Sequence, residues 1–195
     1  MNDENDERVV RLVQAFDSSL EEGIARLEAD PSVIHLRTSL GETPLHLACF
    51  DSPVEAVQEL IRRGSALDTL SDIGSTPLSD AASIGRVELV RLLLDSGASI
   101  ALEDLREPTL HTTVRGGHIE AVRLILDAGA DVNEQGDFAM TALHAAAEDD
   151  LAEIAELLIA RGADPSIESP YDGTALDLAI RDNRERCIAL LSIKH

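Results

Sequence analysis

In Gly74-Ser75-Thr76-Pro77-Leu78-Ser79-Asp80-Ala81-Ala82 a helix start is written residue by residue. Thr76 stands where an N-cap hydroxyl accepts a hydrogen bond from the first turn, and Pro77 takes the first helical position, where a missing N–H costs nothing. The spacing predicts a short helix with Leu78, Ala81 and Ala82 on one face, ended by Gly85. A second helix follows. Val87, Leu89, Val90, Leu92, Leu93 and Leu94 are its apolar positions, and Arg86, Glu88 and Arg91 its polar ones. Gly97 then supplies the left-handed residue that stops it. The dozen residues that remain before the next such start are enough for a hairpin-like loop.

Working outward, the same sentence recurs. Leu78 has counterparts in Leu45, Leu110, Leu143 and Leu176, and Leu12 falls one 33-residue step before Leu45. The helix-ending glycines Gly64, Gly97, Gly129 and Gly162 are spaced by 33, 32 and 33 residues. Self-similarity at this period predicts stacked supersecondary units rather than one globule. Nine residues after the key leucine, inner units carry Val54, Val87, Ile119 and Ala152, but the end units carry Glu21 and Glu185. Sixteen residues after it, Ile61, Leu94, Leu126 and Ile159 give way to Glu28 and Ser192 at the ends. An end unit has one neighbour only, so polarity there is what capping requires.

The Thr43-Pro44-Leu45-His46 tetrapeptide, Arg161-Gly162-Ala163-Asp164 and the period together resemble the ankyrin-repeat family over nearly the whole chain. The resemblance implies an all-α repeat solenoid of about six helix–turn–helix repeats, with short β-hairpin loops projecting from one edge. Its concave face, made of hairpins and first helices, would bind another protein. Residues 1–6 are expected as an acidic disordered tail, and 7–195 as a single ankyrin-repeat domain. The repeats fall at 7–34 (the N-terminal cap, with Pro31 where glycine would stand), 39–68, 72–101, 104–133, 137–166 and 170–195 (the C-terminal cap). Departures are local. Pro108-Thr109 inverts the usual Thr-Pro order, Ser79 and Asp177 replace the histidine, and Asp172 stands where the sixth hairpin would have glycine. Hairpin geometry around 101–108 and 168–174 is expected to differ, with the weakest stacking near the fourth unit.

Bulk properties narrow the function. A net charge of −21 argues against phosphate backbones as ligands and favours a basic partner, although a solvated acidic face is the plainer account. Cys49 and Cys187 occupy apolar-periodic positions near opposite ends of the array, as small core residues in a reducing compartment. The polar, acidic start is unlike a signal peptide, and no apolar run reaches the length of a membrane span, so the chain is expected to be cytoplasmic.

One ladder stands out among candidate functional residues. Five residues before each key leucine, at the expected hairpin tips, are Leu40, Ile73, Leu105, Phe138 and Tyr171. Tips are normally polar, so an apolar strip along one edge marks an interaction site, unless adjacent hairpins pack these side chains on each other. The concave-face positions vary as a tailored surface would, with Phe50, Arg115, Glu148 and Arg181 at one register and Asp51, Ile84 and Asp149 at the next. Phe50, Phe138 and Tyr171 are three of the four aromatics in the chain, while Phe16 reads as core. Asp51, Asp72, Asp137, Glu148 and Asp149 would steer a basic partner.

His46, His111 and His144 recur once per repeat in a line, and a metal would need converging ligands. The resemblance implies instead that they bond loop backbone. Asn133 matches a position that asparaginyl hydroxylases modify in some relatives and is treated as a turn residue. No phosphate loop, nucleophile elbow or Cys/His cluster occurs, so neither a catalytic site nor a cofactor is expected. The expectation is a monomeric, non-catalytic protein-binding module. A dedicated regulatory subunit or inhibitor of one enzyme is the alternative.

Overall fold

The computed structural model describes residues 2–102 and 107–193. Among them are twelve α-helices in six consecutive pairs: α1 (Asn2–Ser18) with α2 (Leu20–Ala29), α3 (Pro44–Asp51) with α4 (Val54–Arg62), α5 (Pro77–Ser83) with α6 (Val87–Asp95), α7 (Thr109–Arg115) with α8 (Ile119–Asp127), α9 (Ala142–Glu148) with α10 (Ala152–Ala160), and α11 (Ala175–Arg181) with α12 (Glu185–Leu191). The predicted helix starting at Thr76-Pro77 and ending before Gly85 is therefore α5, and the amphipathic segment after it is α6.

The chain forms two compact units. One holds the described residues up to Ala81 together with Arg86 to 102, and the other holds Ala82–Gly85 and 107–193. Within the first, α1 packs on α3, while α2 packs on α4 and α4 on α6. Within the second, α7 packs on α9 and α9 on α11, with α8 on α10 and α10 on α12. First helices thus stack on first helices and second on second, as a periodic array requires.

The core is the set of positions that the period picks out. Leu12, Leu45, Leu78, Leu110 and Leu143 are almost wholly buried, and Phe16 with them. Leu176, in the last pair, is half-buried. Alanines fill the tight helix contacts: Ala48, Ala81, Ala82, Ala146 and Ala179 have no exposed surface. Val54, Ile61, Val87 and Leu94 are half-buried, whereas Glu21, Glu28, Glu185 and Ser192 at equivalent positions of the end pairs are exposed. Cys49 and Cys187 are free and fully buried, and burial pushes their thiols up to about 12 and about 11, so both remain inert thiols near neutral pH. No helix among the described residues is long and apolar enough to cross a membrane.

Two expectations are corrected. Residues 2–6 lie within α1 rather than in a disordered tail. Acidic side chains suit a helix N-terminus, and Asp6 is tied down besides: its carboxylate accepts from the Ser39 backbone N–H at 2.6 Å and the Ser39 hydroxyl at 2.5 Å. The β-hairpins shrink to tight turns. Ser71 N–H donates to Ser75 O at 2.9 Å and Gly136 N–H to Met140 O at 2.9 Å, but Ser169 and Gly173 form the one antiparallel bridge among the described residues.

Candidate protein-interaction surface

Each loop tip is positioned by the helix start that follows it. Thr43, Thr141 and Thr174 cap α3, α9 and α11 in reciprocal boxes with His46, His144 and Asp177. Thr76 and Ser79 exchange the same two bonds at 3.1 and 2.9 Å. Serine and aspartate thus replace histidine within the box because each also offers an acceptor to the cap N–H.

The histidines do more. Backbone N–H groups donate to His46 Nδ1 (3.1 Å) and His144 Nδ1 (3.2 Å), so the proton sits on Nε2. That nitrogen donates to the next repeat's loop, to Ser75 O at 3.3 Å and Gly173 O at 3.0 Å. His111 reaches Glu134 O at 3.0 Å in the same way. Histidine therefore ties each tip to the helix pair before it, and among the described residues no group of three or more His, Cys, Asp or Glu could hold a metal ion. In the inverted fourth unit, Pro108 is the N-cap and makes no side-chain cap. Asn133 is a turn residue in a second such stitch: its amide donates to Gly162 O at 3.1 Å, and its oxygen accepts from Asp164 N–H at 2.8 Å.

Four of the tip residues are exposed, two in each unit. Leu40 and Ile73 are 59% and 62% exposed in the first unit. Their loops are joined by Asp72 N–H donating to Leu40 O at 2.9 Å and by Arg37 donating to Leu70 O at 2.5 Å. Phe138 and Tyr171 are 67% and 78% exposed in the second unit, with ring centroids 5.8 Å apart and planes at 79°. Leu105 lies outside the described residues. Phe50 and Ile84 are each 38% exposed. Asp51, Asp137 and Asp149 face solvent.

Several charges expected to face a partner meet one another instead. Arg115 donates to Glu148 at 2.8 Å and to Glu107 at 3.2 Å, and Arg181 is held by Asp172 and Asp182. Asp72 lies 3.6 Å from Arg37. Of the carboxylates named from the sequence, Asp51, Asp137 and Asp149 are exposed and have no ion pair among the described residues, whereas exposed paired ions largely cancel.

Sequence reasoning missed three features. Arg37 and Glu107 carry no periodic signal, so their contacts were invisible. Ile180 is 56% exposed, although Cys49, Val114 and Ala147 at the equivalent position are buried. At the loop position of Gly41 (φ 73°) and Gly74 (φ 78°), the fifth loop has Ala139 at φ 55°, with Phe138 beside it at φ 57°. In the sixth loop, left-handed geometry passes from the Asp172 position to Gly173, φ 71°.

Stacked helix pairs with capped starts and projecting loops define a helical repeat protein. A family model described as ankyrin repeats (3 copies) matches residues 6–104 and again 109–195, and the chain belongs to that family. Ankyrin repeats generally mediate protein–protein interaction. Among curated proteins, the chain is 41% identical over 71 residues to human SMC5-SMC6 complex localization factor protein 1, covering 36% of this chain and 7% of that protein. It is 30% identical over 122 residues to the chicken nuclear factor NF-kappa-B p105 subunit, covering 60% of this chain and 12% of that protein. The ankyrin repeat, SAM and basic leucine zipper domain-containing protein 1 of Colobus guereza is 44% identical over 59 residues, with 30% and 12% covered. The chain thus spans only a small part of these relatives' length.

Proposed function

We propose that this chain is a non-catalytic, cytoplasmic protein-binding module, monomeric on its own, that captures a partner with a basic surface. It does so through the loop tips and first-helix faces of its units. The observation that carries this reading is the exposure of Leu40, Ile73, Phe138 and Tyr171, four large apolar side chains at loop tips. Exposed apolar strips on a soluble chain mark interaction sites, and aromatics are favoured anchors within them. The tips are held before binding by the histidine and cap bonds, so little ordering entropy opposes association. The acidic balance supports a basic partner, with Asp51, Asp137 and Asp149, which have no ion pair among the described residues, as steering groups.

The test is the double variant Ile73→Ser with Phe138→Ser, compared with the parent chain in affinity capture from native lysate and in thermal melts. Capture is expected to be lost with helical content and melting temperature unchanged. A drop of several degrees in melting temperature would show that these side chains act by stabilising the fold against their neighbours and would end the binding reading.

A further inference from the structure

We propose that the Phe138–Tyr171 pair, together with the sequence-adjacent Asp137, is a recognition site for an arginine side chain on a basic segment of the partner. This inference rests on the partner-binding reading and gives it a chemistry in the second unit. Two observations carry it independently.

The first is the shape of the pair. Rings 5.8 Å apart and nearly perpendicular meet edge to face, so beside the edge-on ring a corner is left that one face of each ring borders. Each face is the negative part of the ring quadrupole, and a cation in the corner lies within reach of both centroids at once. Both rings are mostly exposed, so the corner opens to solvent. Hydrophobic drive alone would have buried such rings.

The second is backbone strain. Phe138 and Ala139 adopt left-handed φ values of 57° and 55°, a conformation that the loops at Gly41 and Gly74 give to glycine. Non-glycine residues in this region are costly; Asp150 and Asn183 adopt it singly, at φ 54°, in turns between paired helices, whereas here two adjacent residues do so. Here the strained turn is what presents Phe138 beside Tyr171.

Charge selects the guest. The chain carries −21, and Asp137, exposed and adjacent to Phe138, offers a carboxylate to a cation lodged in the corner. Arg181 is occupied by Asp172 and Asp182. A guanidinium is planar and weakly hydrated, so it stacks on one ring while its N–H groups reach the carboxylate; an ammonium forms no such fork.

The chain has one tyrosine and no tryptophan, so Tyr171 emission reports on this site alone. The probe is a capped glycine peptide carrying two arginines, titrated against its citrulline twin, using the full chain and the variants Phe138→Ala and Asp137→Asn. Tyr171 emission and ring proton shifts should saturate with the arginine peptide. Affinity should fall roughly tenfold for citrulline and for Phe138→Ala, and severalfold for Asp137→Asn or raised salt. Circular dichroism checks that the variants stay folded. Equal response to citrulline, or unchanged affinity in Phe138→Ala, overturns the arginine corner. Arginine binding that shifts Leu40 and Ile73 but not Tyr171 also overturns it, yet leaves the broader reading intact. That reading stands or falls on the double serine variant.

Discussion

His46 shows how much one side chain settles. Burial pushes its pKa from the usual 6.5 down to about 4 by penalising the charged ring, and the Ser75 carbonyl, which favours the protonated form, only partly opposes this. In the unfolded chain the ring takes a proton near 6.5; in the folded chain it resists until about 4. Acid therefore favours unfolding across that window, and the stability that His46 contributes is complete above pH 6.5 and lost on descending to about 4. At about 1.4 kcal/mol per pKa unit the loss approaches about 3 kcal/mol. Asp80 acts in the opposite sense. Burial raises its carboxyl to about 6, so the folded chain takes up that proton first as pH falls. Because the Asp80 gain offsets much of the His46 loss, the test is the difference. From pH 7 to 4 the melting temperature of the parent chain should fall relative to that of His46→Asn, which keeps Asp80 and removes the buried imidazole. A second residue-scale prediction concerns the inverted pair. Exchanging the two residues, as Pro108→Thr with Thr109→Pro, restores an N-cap hydroxyl before α7. It should stabilise the chain by about 1 kcal/mol in urea unfolding.

At the scale of elements, α6 and α10 owe their place to packing more than to propensity, since helices of nine residues are marginal alone. Leu93 and Leu158 have no exposed surface. Leu93→Ala or Leu158→Ala should each cost about 2–5 kcal/mol by leaving a cavity between helices, read as a lower urea midpoint. Legibility also sorts by element. The helix pairs, their caps and their terminating glycines were readable because each rests on local chemistry repeated every 33 residues or so. The loops were not. The left-handed turn at Phe138 and Ala139 carries no glycine to announce it, and the Arg115–Glu148 pair joins residues a full repeat apart. Helix α1 ran through the expected tail because Asp6 finds Ser39, a contact that no local pattern encodes.

For the molecule as a whole, net charge outweighs ion pairing. Exposed pairs such as Arg123 with Glu120 at 3.6 Å contribute little each, while −21 on one chain repels itself throughout. Raising sodium chloride from low to physiological strength should therefore raise the melting temperature. A fall would mean that the surface pairs dominate. Capture of a basic partner should move the other way and weaken with salt.

The amino-acid order by itself determined the period, the helix pairs, the capping residues and the apolar identity of the tips, because all of these are short-range or strictly repeating. Only the folded chain decided which charges stay available and which cancel. It also decided that Phe138 and Tyr171 meet edge to face, and that Ile180 stays uncovered while its counterparts are buried. Those outcomes depend on distances between residues a full repeat apart, and such distances exist only once the helices have packed.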